Sequence, residues 1–297
     1  MKYITVFVLP IIVFLGVIEI VLHTIPNSYS YKYNYVRTHG DEIKAVGIGH
    51  SQLYDDFKSG CFFISAFNLS NSAQGYMEDY YLLHELLSYM PNLEMVILPI
   101  GYMNVGREEE FTQKSCYYYE YMNIDYDGKI PLQYRFECLS VRSSIKKVFS
   151  YYIKHDDIVR CDSLGWSPHY YKDREKALGH DRIIDIYTLG ENNFFLAGEM
   201  YLKRIIRLLD ENNIKIVLVS PPYYWDCYDN INWAQKTWSD MYIKNLCETN
   251  PQIQYINMEF DSTFYDEDYY DESHLSETGA EKFTHKLNDF ILSKNVK

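Results

Sequence analysis

Five short apolar runs place the strongest constraint on how this 297-residue chain can fold. Each has strand length and β-branched character; they cover residues 43–49, 66–69, 93–100, 214–220 and 253–258. Runs that are apolar throughout, rather than at alternate positions, are typical of parallel strands buried on both faces. Helical periodicity lies between them, over 77–90, 193–212, 233–248 and 278–293. This alternation predicts an α/β doubly wound sheet with right-handed crossovers.

A long segment without this rhythm, residues 102–192, follows the third run. A stretch of that length is usually functional or forms an inserted subdomain. We therefore predict one domain over 43–297 with an insertion at 102–192. The polar, tyrosine-rich residues 26–42 that precede it are predicted to be a short linker.

The N-terminal residues 3–22 are apolar except for Glu19 near the end of the run. A helix of that length rises about 30 Å, the thickness of a bilayer core, so we predict a transmembrane signal anchor over residues 1–25. No small-x-small cleavage pattern follows, which favours an uncleaved anchor over a removed signal peptide. A soluble amphipathic helix is the alternative. The few flanking positive charges fix the orientation only weakly, and we expect the body of the protein on the extracytoplasmic side.

Charge and cysteine spacing exclude two classes of function. The formal net charge is −13, from 41 acidic and 28 basic side chains, and no stretch gathers Lys and Arg into a basic face. We therefore predict no nucleic-acid partner. The six cysteines are scattered without a CxxC pair, so there is no zinc signature, and we predict no metal and no cofactor. Disulfide pairing cannot be read from these spacings.

The stretch AVGIGHSQLYDDF, residues 45–57, carries a serine at the exit of the first predicted strand. Gly47 and Gly49 permit a tight turn before Ser51, and ligands of open α/β sheets bind at the carboxyl ends of strands. A serine is nevertheless a poor nucleophile without a base beside it. Its neighbour His50 is either a second base or metal ligand or, more simply, a satisfied surface or core histidine.

A candidate base lies near the C-terminus, in the sequence DESH of residues 271–274, just before the last predicted helix. The spacing lets the carboxylate of Asp271 bind one ring nitrogen of His274, which leaves the other nitrogen to accept the serine proton. The positive end of the following helix favours a neutral imidazole, the form that a general base needs. We predict Ser51 as nucleophile, His274 as base and Asp271 as the group that orients it. A helix-capping turn is the structural alternative for the Asp271-x-x-His274 pair.

The order of these motifs resembles the SGNH (GDSL-like) hydrolase superfamily: Gly49-x-Ser51 after the first strand, then Asp271-x-x-His274 before the last helix. The resemblance covers most of the chain after the linker. It implies a flavodoxin-like, three-layer α/β/α fold with a mostly parallel five-stranded sheet and a Ser-His-Asp acyl-transfer site. The N-terminal span, the segment PNSYSYK and the loop NLSNSAQ are most similar to membrane-anchored proteins that modify bacterial envelope polysaccharides by O-acetylation.

The resemblance also implies a site and partners. Its oxyanion hole would use the backbone N–H groups of Ser51 and Ala73, with Ala73 at the position of a family glycine, and Asn104, one residue out of step with the family's Gly-x-Asn-Asp. The implied activity is that of a serine acyl esterase or O-acyltransferase on an envelope glycan. The substrate would be an acylated glycan or acyl donor, and the partner a membrane-bound O-acyltransferase. Two alternatives stay open: a catalytically impaired scaffold or glycan-binding partner, and a lipid esterase that faces the cytoplasm.

Overall fold

The computed structural model describes residues 2–106, 110–170, 197–229 and 231–295. Parts of the predicted insertion, residues 107–109 and 171–192, and the start of the predicted helix at 193–212 lie outside the described residues. The chain divides into two compact units. The first contains Met1–Thr38 and Glu110–Arg160, and the second contains His39–Glu109 and Cys161–Lys297.

A five-stranded sheet forms the centre of the second unit. Its strands are β1 (Ala45–Gly47), β2 (Ala66–Asn68), β3 (Met95–Pro99), β4 (Lys215–Ser220) and β5 (Ile253–Asn257). They lie in the order β2-β1-β3-β4-β5, and all four pairings are parallel. The predicted α/β class is confirmed. The sheet is entirely rather than mostly parallel. Each connection between its strands is a crossover, which carries the chain from the carboxyl end of one strand back to the amino end of the next.

Nine α-helices lie within the described part of the chain. They are α1 (Lys2–His23), α2 (Ser28–His39), α3 (Ser51–Asp56), α4 (Tyr76–Leu86), α5 (Ser115–Tyr121), α6 (Val141–Phe149), α7 (Ala197–Glu211), α8 (Trp233–Thr249) and α9 (Glu277–Asn295).

Both faces of the sheet are buried against helices. Neighbouring strand residues point to opposite faces, and Ile97 and Val217 share one core cluster with Phe283 and Leu287 of α9. On the opposite face, where Val96 is fully buried, α7 packs against β4 and against α4. Helices on both sides explain why the strand sequences are apolar throughout.

Gly49 makes the exit from β1 possible. Its φ is +148°, and a Cβ built there would lie 2.4 Å from Cγ of Pro99. The carbonyl of Gly49 accepts a hydrogen bond from the N–H of Asn71 at 3.1 Å, which ties this exit to the loop after β2. The turn that presents Ser51 therefore needs a residue without a side chain at position 49.

The predicted linker at 26–42 is largely helical, since α2 occupies most of it. Asn27 begins this helix: its Oδ1 accepts a hydrogen bond from the N–H of Ser30 at 2.9 Å, the arrangement of an N-cap. Val36 is fully buried. The polar composition of the segment concealed a capped helix that tertiary contacts stabilise.

The predicted anchor lies in the first unit, on α1. Glu19 accepts hydrogen bonds there from the backbone N–H groups of Glu137 at 3.1 Å and Cys138 at 2.8 Å. Among the described residues no single helix is both long and apolar enough to cross a bilayer. The pair Leu9–His23 and Ser28–Glu42, bent by 54°, does meet that test by length and composition. Anchoring and orientation therefore remain predictions.

Candidate active site

Ser51, His274 and Asp271 lie within hydrogen-bond distance of one another. Oγ of Ser51 is 2.9 Å from Nε2 of His274, and Nδ1 of His274 is 2.9 Å from both carboxylate oxygens of Asp271. Ser51 is the first residue of α3, just beyond the carboxyl end of β1, whereas the other two lie in the turn before α9. The arrangement has the connectivity of nucleophile, base and orienting carboxylate.

Asp271 is held by its own turn as well as by the imidazole. One carboxylate oxygen also accepts the backbone N–H groups of Ser273 and His274, each at 2.9 Å. Burial alone would raise the pKa of Asp271, but the charge of His274 and these hydrogen bonds outweigh it and lower the pKa to about 2. Asp271 therefore stays ionised at neutral pH, as a group that orients an imidazole must.

The expectation of a neutral imidazole at His274 is wrong. Burial acts to lower the pKa of His274, but the charge and hydrogen bond of Asp271, followed by the charges of Asp55 and Asp56, raise the pKa to about 10. Nearby carboxylates thus outweigh the helix end, whose effect is typically only 0.3–1 kcal/mol. In the resting site His274 carries a proton at neutral pH.

Helix α3 fastens the turn that carries His274. Nε2 of Gln52 donates to the carbonyl of Ser273 at 3.1 Å, and Asp56 accepts the N–H of Leu275 at 2.8 Å. Burial raises the pKa of Asp56 well above its usual range. Neither residue was predicted from the sequence, although Gln52 and Asp56 are four positions apart and so share one side of a helix.

A second polar pair, also missed from the sequence, lies beside the imidazole. Oδ2 of Asp55 is 3.7 Å from Nε2 of His274 and 3.2 Å from Nε2 of His169. The ring of His169 stacks on Tyr270, with centroids 4.2 Å apart and planes 15° apart. The i,i+4 spacing of Ser51 and Asp55 is the sequence signal that could have identified Asp55. His169 comes from the segment after Cys161 and has no local signal.

Ala73 lies in an exposed turn after β2. The turn is closed by a hydrogen bond from the N–H of Gln74 to the carbonyl of Asn71 at 3.3 Å. The φ of Ala73 is +57°, in the left-handed region that usually selects glycine at this position of a turn. Alanine thus retains the backbone conformation that a glycine would adopt there.

Asn104 closes the corresponding turn after β3. Its Oδ1 accepts the N–H of Gly101 at 2.8 Å, and its Nδ2 donates to the carbonyl of Pro99 at 2.8 Å. These bonds use the amide oxygen and one of its two N–H hydrogens. Ser51, Ala73 and Asn104 therefore follow three adjacent strands, and the oxyanion role of all three stays a prediction.

His50 has a structural contact, because it is the N-cap residue of α3. Its Nδ1 accepts a hydrogen bond from the N–H of Gln52 at 3.4 Å. This contact is the one that the simpler interpretation of His50 anticipates.

Among the residues that the structure describes, two groups of side chains have ligand atoms close enough to share a cation, and neither contains a residue of the predicted triad. They are Cys61, Glu281 and His285 in the second unit, and Glu19, His23 and Glu120 in the first; within each group the atoms lie within 4.8 Å of one another. In the former, Nζ of Lys58 is 2.8 Å from the carboxylate of Glu281, so an ammonium group already neutralises that carboxylate. All six cysteines are free thiols.

Fold and site together define an α/β protein with a hydrogen-bonded Ser-His-Asp arrangement at the carboxyl edge of a parallel sheet. No family model and no curated protein matches the sequence. Among the solved structures that are similar is one from Streptococcus pneumonia, described provisionally as a platelet activating factor, which matches 87% of this chain and 90% of its own. It has 14% sequence identity and a TM-score of 0.42. So distant a likeness carries no argument about chemistry, which must come from the side chains themselves.

The ionised carboxylate of Asp271 should stabilise the folded protein to an extent that depends on pH. Because its pKa falls from 3.8 to about 2 on folding, wild type should be more stable than Asp271→Asn by about 2 kcal/mol above the unfolded pKa. That advantage should disappear as pH falls through about 2, and decline again as pH rises through about 10, where His274 loses its proton. Urea unfolding across this range checks it. A difference independent of pH would contradict it, and a His274→Gln background should remove the alkaline decline.

Proposed function

We propose that this chain is an SGNH-type serine enzyme of acyl-ester chemistry, an esterase or O-acyltransferase. The observation that carries the proposal is the hydrogen-bond series from Ser51 through His274 to Asp271, with 2.9 Å at each step. Its position in the sheet adds support. β1 lies between β2 and β3, which is the point where strand order reverses and where ligands of open α/β sheets bind.

The first half of the reaction is acylation of Ser51. In molecules whose His274 has first lost its proton to solvent, the Oγ–H bond breaks as Nε2 of His274 takes the serine proton, and Oγ forms a bond to the acyl carbonyl carbon, whose oxygen becomes the oxyanion. Collapse of this intermediate breaks the bond to the leaving alcohol, which takes the proton back from Nε2. In the second half, water or a sugar hydroxyl attacks the acyl-serine by the same steps. The acceptor alone distinguishes the esterase from the transferase.

The oxyanion would be bound by the backbone N–H groups of Ser51 and Ala73 and by the Asn104 side chain. A single oxyanion donor is typically worth 10²–10³ in rate. The positive φ of Ala73 supports its assignment to the glycine position, since it preserves that backbone conformation.

Substrate and location are the finer part of the proposal. They are supported by the resemblance of the N-terminal span, PNSYSYK and NLSNSAQ to membrane-anchored proteins of envelope polysaccharide O-acetylation. On that basis the substrate is an acylated glycan or acyl donor, and the partner is a membrane-bound O-acyltransferase. The chain would be anchored through its N-terminal helix, with the sheet-containing unit on the extracytoplasmic side. The bent pair Leu9–His23 and Ser28–Glu42 supports the anchor by length and composition.

Two observations favour a second candidate, a non-catalytic scaffold or glycan-binding partner. The bonds of Asn104 to its own turn leave at most one of its N–H hydrogens for an oxyanion, and His274 holds a proton at neutral pH because its pKa is raised to about 10. Either feature would slow an acyl transfer that needs an open oxyanion hole and a neutral base.

Labelling with a fluorophosphonate distinguishes the two candidates. We expect wild type to be labelled at Ser51, faster as pH rises from neutrality towards the pKa of His274 near 10, and Ser51→Ala and His274→Gln not to be labelled. Wild type that binds glycan but resists labelling at every pH would establish the scaffold. For a labelled enzyme, an added sugar acceptor that captures the acyl group in place of water identifies a transferase.

A further inference from the structure

Asp55 is a buried carboxylate that the proposed reaction does not use. Only 6% of its side chain is exposed, and it lies one helical turn after Ser51, on the same side of α3. A buried charge is costly unless it is paired. Its partner here is His169, 3.2 Å away, and its other close contact is Nε2 of His274, the nitrogen that also contacts the serine.

His169 is held in place from two sides. Its segment is bound to the end of α3, where Nε1 of Trp166 donates to the carbonyl of Asp55 at 2.6 Å and the N–H of Ser167 donates to the carbonyl of Tyr54 at 3.2 Å. Its ring also stacks on Tyr270, the residue immediately before Asp271. The position of His169 is therefore tied both to Asp55 and to the turn that carries the base.

We propose that Asp55 and His169 form a second pair beside the triad, which positions the Nε2 proton of His274 and sets how firmly His274 holds it. Asp55 acts directly on the imidazole, and His169 acts through Asp55. Both are positioning residues, and the inference rests on the proposed function only where it concerns rate.

The expected effect on His274 depends on which group its Nε2 proton faces. Once Nε2 has taken the serine proton, Nδ1–H points to Asp271, and Nε2–H can face either the leaving oxygen or Oδ2 of Asp55, 3.7 Å away. The negative charge of Asp55 stabilises this imidazolium. A hydrogen bond or a positive charge from His169 draws on the same carboxylate and weakens its hold on His274. The two residues thus act on His274 in opposite directions.

Other charged and polar groups also surround the imidazole of His274. Within the described part of the chain, the charged and titratable groups and hydroxyls that face His274 are Asp271 and Ser273 from its own turn, Ser51, Asp55 and Asp56 from α3, and His169 from the segment after Cys161. Of these, Asp55 contacts both rings, whose centroids are 6.1 Å apart, so its carboxylate is the shortest connection from His169 to His274.

The test follows the titration of His274 in the full chain by NMR of its ring carbons, assigned with His274→Gln. We expect Asp55→Asn to lower the pKa of His274 by about one unit, because an adjacent negative charge is lost. His169→Phe, which keeps an aromatic ring against Tyr270, should raise it. The double variant should behave like Asp55→Asn, because His169 acts through that carboxylate. The acid limb of kcat/KM should move in the same directions.

The matched control is Asp261→Asn, which removes one charge from a carboxylate paired with Lys286 and should leave the His274 titration unchanged. An unchanged titration in Asp55→Asn, or shifts of the same sign in both single variants, would overturn the inference. If the titration moves as expected but Ser51 resists fluorophosphonate, the pair stands and the proposed function fails. Should His169→Phe not fold, Asp55→Asn alone decides.

Discussion

Replacing Ser51 with alanine should lower turnover of an activated acyl ester such as p-nitrophenyl acetate by about 10⁶-fold, because nucleophile and base act as one unit. Oγ of Ser51 is the atom within 2.9 Å of Nε2 of His274, so the substitution removes the acceptor of the acyl group. His274→Ala should lose a similar factor. The double variant should be no slower than either single variant, because each already removes the shared step.

The control for this experiment is Ser293→Ala. Ser293 is an exposed serine near the end of α9, whose hydroxyl donates to the carbonyl of Phe290, and its loss should leave turnover unchanged. Urea midpoints of Ser51→Ala and Ser293→Ala should stay near that of wild type, since Ser51 is only half-buried and Ser293 is exposed. If Ser51→Ala kept more than a few per cent of wild-type turnover, another nucleophile would be responsible and the assignment would fail.

The sheet could be predicted because its strands are buried on both faces, a condition that leaves a direct mark in the sequence. The ends of these strands could not be predicted in the same way. The apolar run at 43–49 is longer than β1, which ends at Gly47, because the chain turns away through Gly49 to present Ser51. The helix in the predicted linker depends on the cap from Asn27 and on burial of Val36, neither of which polar composition reveals.

Within the site, contacts between residues that are close in sequence could be predicted, whereas contacts between distant residues could not. The Asp271–His274 contact is local, and the sequence spacing permits it. Asp55 could have been found from its i,i+4 relation to Ser51. His169 could not, because its approach depends on how a long connection returns to the end of α3.

The charge state of His274 shows a different limit. A helix end is visible in sequence and argues for a neutral ring. The carboxylates of Asp55 and Asp56 reach the ring only in the folded chain, and with Asp271 they reverse the sign of the effect. Titration of a buried group therefore depends on neighbours that sequence order does not identify.

Gly49→Ala should lower the free energy of unfolding by about 4 kcal/mol. Two costs combine. At a φ of +148° an alanine occupies a region that only glycine adopts readily, at about 1–3 kcal/mol. Its Cβ would also lie 2.4 Å from Cγ and from Cδ of Pro99. Relieving that overlap within a packed core typically costs a further 1–3 kcal/mol.

Gly60→Ala is the matched control in the same unit, because its Cβ would meet only Cδ1 of Leu164, at 3.5 Å, with no positive φ. We expect it to change the free energy of unfolding by less than about 1 kcal/mol. If the Gly49→Ala variant folds, a fluorophosphonate should also label it more slowly than wild type. The overlap with Pro99 can be relieved by moving the β1 exit, which would take Ser51 away from His274, and a misplacement of about 1 Å can cost 10²-fold in rate. Urea unfolding that gave equal values for the two alanine variants would show that the exit from β1 accepts a side chain, and that Ser51 is not presented by a glycine-dependent turn.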